Sequence, residues 1–181
     1  MGLAIVLVLR LLAPLAIFRW PLVGALLAIA ADTVDILIFD VFGFPGFIEY
    51  HQIDKLLDSY YLAIEFIVAQ RWGAVPRATA SALFAYRMIG VVAFEVTDVR
   101  ALLLVFPNVF EWFFVLQVWL LRFRPAYVLT PQRAAAWVAV LLVPKLAQEY
   151  LLHYSRVLDD YVATDVIGDS YRALKRWTRI G

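Results

Sequence analysis

Apolar segments of about the length of a membrane-crossing helix make up most of this 181-residue chain, and they limit its fold more than any other feature. The hydrophobic share is 64% and the charged share 17%, whereas a soluble domain has roughly 45–50% and about 25%. A crossing helix needs about 20 apolar residues, so the chain has room for about six. The composition therefore predicts an all-α membrane protein, and it excludes disordered, fibrous and disulfide-rich secreted chains.

Proline, glycine and charged residues divide the apolar sequence into six predicted helices. Their predicted extents are 3–18, 22–41, 52–71, 77–96, 99–123 and 132–153. Pro107 is expected to kink the fifth helix. After the sixth helix, mixed polar and apolar residues with four basic side chains near the end of the tail predict an amphipathic helix on the membrane surface. We therefore expect a six-transmembrane-helix bundle over residues 1–155 and a C-terminal interfacial amphipathic helix over 156–181.

Charge and cysteine content exclude several kinds of partner and site. The 16 basic and 15 acidic residues give a net charge of +1, so there is no basic field to attract nucleic acid, and we expect membrane lipids as partners. Without cysteine, disulfides, thiolate metal sites and cysteine nucleophiles are excluded. Basic residues divide almost evenly between the two sides, and the basic tail favours cytoplasmic termini. We expect a polytopic protein of the plasma membrane.

Ionisable side chains inside the predicted helices are the main candidates for function, because each costs at least about 2.5 kcal/mol at the centre of a spanning helix. The densest group is two aspartate pairs on the second and third helices. Asp32 and Asp35 are three residues apart, and Asp54 and Asp58 are four apart, so each pair shares one helix face. A short loop joins the two helices, and we expect the four carboxylates to converge on one pocket.

Four converging carboxylates repel one another unless protons or cations neutralise them. Ligation by oxygen alone is what Mg²⁺, Mn²⁺ or Ca²⁺ prefers. Two such ions can clamp a phosphate-bearing group, and a carboxylate left partly free can take the proton from an attacking hydroxyl. The alternative is that the aspartates lie at the water interface and have no chemical role.

The aspartate spacing resembles the signature of the CDP-alcohol phosphotransferases, D-x2-D-G-x2-A-R-x8-9-G-x3-D-x3-D. In that family the signature lies on the second and third of six membrane-spanning helices. The resemblance implies that Asp32, Asp35 and Asp54 bind Mg²⁺ or Mn²⁺, as one or two ions. It also implies that Asp58 is both a metal ligand and the catalytic base for the acceptor alcohol, and that the protein is a homodimer.

The match covers residues 32–58 and retains all four aspartates, while other positions of the signature differ. Ile36, Phe39, Asp40 and Tyr50 stand where the family has Gly, Ala, Arg and Gly. Small residues there let a nucleotide lie close to the backbone, and the bulky replacements obstruct a cytidine. The sequence keeps the metal-binding part of the signature and departs from its nucleotide-binding part.

These observations predict an integral membrane, divalent-metal-dependent, phosphotransferase-like protein that acts on a lipid or isoprenoid substrate containing a phosphate. Two alternatives stay open. One is a family relative that has lost catalysis. The other is a carboxylate-lined cation or proton carrier, for which acidic residues inside the membrane are the usual signature.

Two further charged residues are candidates for substrate binding. Glu65 follows Asp54 by eleven residues, about three helical turns, and can extend the pocket. Arg87, in the middle of the fourth helix, can bind phosphate through two hydrogen bonds. The alternatives are an ion pair between Glu65 and Arg87, or a pair of Arg87 with Glu95 or Glu111.

Small residues give the fourth helix a face that permits close packing. Ala78, Ala82 and Ala85 recur at helical spacing, and such faces bring helix backbones together in membranes. We expect this face to pack either inside the bundle or across a homodimer.

Overall fold

The computed structural model describes the backbone of residues 2–42, 47–99 and 101–149, and side chains over most of this length. The described residues form α-helices and one 3-10 helix, with no strand. They are α1, Gly2–Leu12; the 3-10 helix, Ala13–Phe18; α2, Pro21–Phe42; α3, Phe47–Ala69; α4, Ala74–Thr97; α5, Ala101–Val105; α6, Val109–Phe123; and α7, Pro131–Glu149. The predicted all-α class is confirmed. The tail predicted at 156–181 lies outside the described residues.

Helix α4 is the element that by itself is long and apolar enough to cross a bilayer, among the residues that the structure describes. Its most apolar window is 17% buried, whereas the core helix of a soluble protein is mostly buried. Two shorter apolar stretches are Leu7–Phe18 and Pro21–Asp32. The number of six crossings stays a prediction.

The first predicted helix changes its type of hydrogen bonding at Pro14. Helix α1 ends at Leu12, and the 3-10 helix follows with Pro14 in its first turn, because proline has no N–H to donate to an α-helical ladder. Pro14 and Ile17 are buried against the start of α2. Gly24 permits this contact, since a Cβ there would overlap the backbone of Ile17. The 3-10 helix and α2 therefore form a closely packed pair.

The boundaries of α3 and α4 differ from the predicted ones. Helix α3 begins at Phe47, five residues before the predicted start at 52, and α4 begins at Ala74 instead of 77. Pro76 caused the second error, because it lies in the first turn of α4, where proline is tolerated. Helix α4 ends where Asp98 adopts a left-handed conformation, with φ of 54°, and its N–H donates to the Phe94 carbonyl.

Pro107 breaks the predicted fifth helix into α5 and α6, so the expectation of a kink is wrong. Asn108 starts the second piece, because its side chain accepts a hydrogen bond from the Glu111 N–H at 3.4 Å. Phe106, between the pieces, packs directly on Gly90, where a Cβ would overlap it. The break therefore fixes α6 against α4.

Helix α6 lies at the centre of the packing, in contact with α2, α3, α4 and α7. Phe110, Phe113 and Phe114 of α6 are fully buried, and the Phe110 ring meets Phe84 of α4 edge to face at 5.4 Å. Most of the core is therefore aromatic and aliphatic, and polar residues within it need a separate account.

The small-residue face of α4 does not pack inside the bundle. Ala78, Ala82 and Ala85 are exposed, which contradicts one of the two expectations for this face. Its pairing across a homodimer stays a prediction.

Candidate functional site

Arg10 of α1 joins two of the predicted site carboxylates. Its Nη2 donates to Asp32 Oδ1 of α2 at 2.6 Å and to Asp58 Oδ1 of α3. The Arg10 side chain is 3% exposed, while those of Asp32 and Asp58 are 39% and 38% exposed. The two carboxylates therefore lie at the surface side of a buried guanidinium, and we name these three residues the Arg10 centre.

Asp32 and Asp58 come together although they belong to different helices. Because both oxygens lie within hydrogen-bond distance of one nitrogen atom, they are at most about 5 Å apart. This is the juxtaposition that the spacing of the aspartates predicts. The side chains of Asp35 and Asp54, the other two predicted ligands, lie outside the described residues, as do those of Ile36, Phe39, Asp40 and Tyr50.

The role of Arg10 was not predicted from the sequence. The available signal was a single basic residue inside an otherwise apolar segment, Gly2–Leu12, which needs a counter-charge when it is buried. The guanidinium supplies positive charge between two carboxylates that would otherwise repel each other. When all three groups are ionised, the Arg10 centre has a net charge of −1.

The donor set of the Arg10 centre fits a divalent cation in part. Asp32 and Asp58 offer the carboxylate oxygens that Mg²⁺ and Mn²⁺ prefer. Within the described side chains, no group of three or more His, Asp or Glu residues is placed to hold a metal ion. A complete cage would need Asp35 and Asp54 as well.

A second polar cluster lies deeper in the bundle, between α3 and α6. Glu65 is 0% exposed, and among the described residues neither of its carboxylate oxygens has a hydrogen-bond partner. Glu111 lies near enough to interact with Glu65 and with Tyr61, and it accepts a hydrogen bond from Asn108 Nδ2 at 2.9 Å. Lys145 of α7 adds a positive charge near Glu111. Glu111 is therefore well partnered, and Glu65 is not.

Glu65 does not form the predicted ion pair with Arg87. Arg87 Nη1 donates instead to the Phe106 carbonyl at 2.9 Å, and its Nε is buried with no hydrogen-bond partner in the part of the chain that the structure describes. That carbonyl lies where Pro107 interrupts the helix, so Arg87 provides a hydrogen bond to a backbone carbonyl at the break between α5 and α6. The sequence placed Glu65 on the third helix and Arg87 in the middle of the fourth, as the structure has them, but it could not give the rotation of α4 about its axis.

One face of α3 connects the Arg10 centre to the second cluster. Asp58, Tyr61 and Glu65 are three and four residues apart in turn, so they follow one another along the same face. Tyr61 is buried and interacts with charges of both groups, Asp58 and Asp32 on one side and Glu111 and Glu65 on the other. Asp58 and Glu65 are separated by about 10 Å along the axis. The face forms a polar path from a half-exposed site into the core.

Comparison with known protein families, with curated proteins and with solved structures gives no match for this chain. The likeness to the CDP-alcohol phosphotransferases rests on the spacing of the four aspartates alone.

Proposed function

We propose that this chain is a polytopic integral membrane protein that performs divalent-metal-dependent phosphotransfer on a lipid or isoprenoid substrate containing a phosphate. The observation that carries the proposal is the meeting of Asp32 and Asp58 at one nitrogen of Arg10. Carboxylates that meet from two helices can contribute ligands to a metal ion that assists a reaction on a phosphate.

Exposed apolar side chains support the membrane location. Large aliphatic residues lie exposed along the helices, including Leu56 at 71%, Val96 at 80% and Val143 at 70%. Soluble monomers rarely expose contiguous apolar surface beyond a few hundred Å². Together with α4, this surface supports a membrane location, and the exposed alanines of α4 support a homodimer. Six crossings of the plasma membrane with cytoplasmic termini are part of the same proposal.

The metal part of the proposal assigns the ligands to the four aspartates. Asp32 and Asp58, with Asp35 and Asp54, would hold one or two Mg²⁺ or Mn²⁺ ions. The ions would neutralise negative charge on the substrate phosphate. Because the Arg10 guanidinium lies between Asp32 and Asp58 on their buried side, the ions would bind on the exposed side of the two carboxylates.

The chain's own residues would supply positioning and proton transfer. Arg10 would hold Asp32 and Asp58 in place through its buried guanidinium. Asp58 would accept the proton of the acceptor hydroxyl while the hydroxyl oxygen bonds to phosphorus and the bond from phosphorus to the leaving group breaks. The partial exposure of Asp58 gives an acceptor access to the carboxylate.

Thermal unfolding in a neutral detergent tests the metal site. Each protein is heated with chelator, with Mn²⁺, and with Mn²⁺ plus CDP; the proteins are wild type, Asp54→Asn, Asp58→Asn and the control Asp98→Asn. A ligand at 100 times its Kd stabilises the folded state by about 2.7 kcal/mol. Mn²⁺ should stabilise wild type and the control by an amount of this order, and the other two variants much less.

Asp98 is a suitable control because its carboxylate is exposed at the end of α4, and asparagine also adopts the left-handed conformation found there. If Mn²⁺ leaves the unfolding of wild type unchanged, the metal-dependent reaction is refuted. Arg10 would then be a permanent counter-ion, as expected for a relative without catalysis. A further stabilisation by CDP would show that a cytidine nucleotide binds despite Ile36 and Tyr50.

A second candidate function, a proton or cation carrier, is favoured by Glu65. A carboxylate without a partner in a dry core costs several kcal/mol when it is ionised, so such a group takes up a proton or a cation. The path Asp58, Tyr61 and Glu65 would link it to the half-exposed Arg10 centre. Vesicles containing the protein and a pH-sensitive dye test this function: Glu65→Gln should abolish proton movement that Asp98→Asn retains, and no movement with wild type would refute it.

A further inference from the structure

Within the described residues, three connections at one end of the bundle carry six arginines and no acidic residue. The end is made by the connections from the 3-10 helix to α2, from α3 to α4 and from α6 to α7. The corresponding segments 13–23, 70–79 and 118–134 lie wholly within the described residues and contain no Asp or Glu. The arginines are Arg19, Arg71, Arg77, Arg122, Arg124 and Arg133. We name this surface the arginine end.

A cavity of about 540 Å³ opens at the arginine end. Its size falls within the range of about 300–1,000 Å³ that is usual for small-molecule sites. Most of its wall is apolar. The start of α2, the end of α6 and the connection between α3 and α4 form this wall, which includes Trp20, Trp72 and Leu121. Tryptophan is enriched at the level of lipid headgroups. The cavity therefore combines an apolar wall with aromatic side chains suited to the interface.

Arg19 and Arg122 bring positive charge to this apolar wall. Both are exposed, and within the described part of the chain neither has an ion pair. The Arg19 guanidinium lies over the Trp20 ring at 5.9 Å, which holds it beside the cavity. Two guanidinium groups without carboxylate partners are the groups expected to bind an anionic ligand.

We propose that this cavity binds one anionic phospholipid, with its phosphate between Arg19 and Arg122 and an acyl chain along the apolar wall. Guanidinium forks match phosphate oxygens, and the wall matches a hydrocarbon chain. A headgroup with net negative charge is favoured over a zwitterionic one, because the ammonium group of the latter would lie among six arginines without an acid. The lipid is a bound partner of the bundle and not the substrate of the Arg10 centre.

The distance to the Arg10 centre makes the two sites separate. Pro21 of the cavity and Asp32 belong to the same helix and are eleven residues apart, about 16 Å at the rise of an α-helix. The lipid site therefore does not depend on the proposed phosphotransfer, and either proposal can fail alone.

Native mass spectrometry of the full chain, released from a neutral detergent, measures the bound lipid directly. The protein is titrated with phosphatidylglycerol, with phosphatidylcholine of the same acyl chains, and with phosphatidylglycerol in the presence of inorganic phosphate. Wild type should bind phosphatidylglycerol at least tenfold more tightly than phosphatidylcholine, and millimolar phosphate should not compete.

The decisive variants are Arg19→Gln/Arg122→Gln and the matched control Arg71→Gln/Arg77→Gln, which removes two charges from the same end but outside the cavity. One basic residue near an anionic lipid changes the affinity about fivefold, so the first variant should bind about thirtyfold more weakly. The control should change by less than about threefold. Arg19→Lys/Arg122→Lys keeps the charge and should bind with intermediate affinity, which also serves if the glutamine variant fails to fold.

Three results would overturn the proposal. Equal weakening by the control would show diffuse attraction to the whole arginine end. Equal binding of phosphatidylcholine would show that the apolar wall alone selects the lipid. Competition by inorganic phosphate would show a site for the free ion.

Discussion

Replacing Arg10 with methionine tests the electrostatic account of the Arg10 centre. Methionine keeps most of the aliphatic volume of the arginine stem but removes the charge that separates Asp32 from Asp58. Two unit charges about 5 Å apart repel by about 3 kcal/mol at an effective dielectric constant of about 20. Because both carboxylates are more than a third exposed, water reduces this value, and we expect a loss of about 2 kcal/mol in the free energy of unfolding.

The change should lower the unfolding temperature by about 4–8 °C, since 1 kcal/mol corresponds to about 2–4 °C in a chain of this length. The assay is thermal unfolding in detergent with chelator present, followed by circular dichroism. Adding Asp58→Asn to Arg10→Met removes one of the repelling charges and should restore most of the lost stability. Adding Asp98→Asn instead should restore none.

The reasoning is refuted if Arg10→Met is as stable as wild type, or if both second substitutions restore stability equally. The first result would mean that solvent screens the two carboxylates almost completely. The second would mean that the loss arises from packing or from net charge and not from the pair.

Three further predictions follow from buried groups. Glu65→Leu should raise the free energy of unfolding by about 1 kcal/mol, because an apolar group replaces a buried carboxyl without a described hydrogen-bond partner. Chemical denaturation measures this change. A decrease of more than about 1 kcal/mol would show that the Glu65 carboxyl has a stabilising partner. Gly24→Ala should lower the free energy of unfolding by about 1–3 kcal/mol, because the added Cβ overlaps the 3-10 helix. Gly73→Ala should change it little, because a Cβ there meets no described atom within 4 Å. Equal effects of the two substitutions in thermal unfolding would contradict the close contact at Gly24. Asn108→Ala should lower the free energy of unfolding by about 1–2 kcal/mol, because it removes the cap of α6 and a hydrogen bond to Glu111. An unchanged unfolding temperature would contradict both roles of Asn108.

The helices could be predicted where an apolar segment is long and its ends are marked. Pro21, Gly73 and Pro131 lie at or next to helix starts, and the sequence placed the nearby boundaries within about three residues. The errors came from prolines whose effect depends on position. Pro76 is accepted in a first turn, and Pro107 ends a helix because Asn108 immediately starts another.

The candidate site could be predicted only in part, because its contacts join residues far apart in the chain. Asp32 and Asp58 were recognised from local spacing on two adjacent helices. Arg10 lies 22 residues before the first and 48 before the second, and no local pattern links them. The pairing of Glu65 with Arg87 failed because it depends on how α4 is rotated against α3, where the rings of Phe66 and Phe84 stack at 4.4 Å.

The 3-10 helix after α1 also changes how far the first segment reaches. A 3-10 helix rises about 2.0 Å per residue and an α-helix about 1.5 Å, so Gly2–Leu12 and Ala13–Phe18 together extend about 28 Å, against about 25 Å for an unbroken α-helix. The hydrocarbon layer of a bilayer is about 30 Å thick. Pro14 thus brings a segment of only 17 residues close to the thickness of the layer that it would have to cross, and Gly24 lets α2 remain in contact with the stretched part.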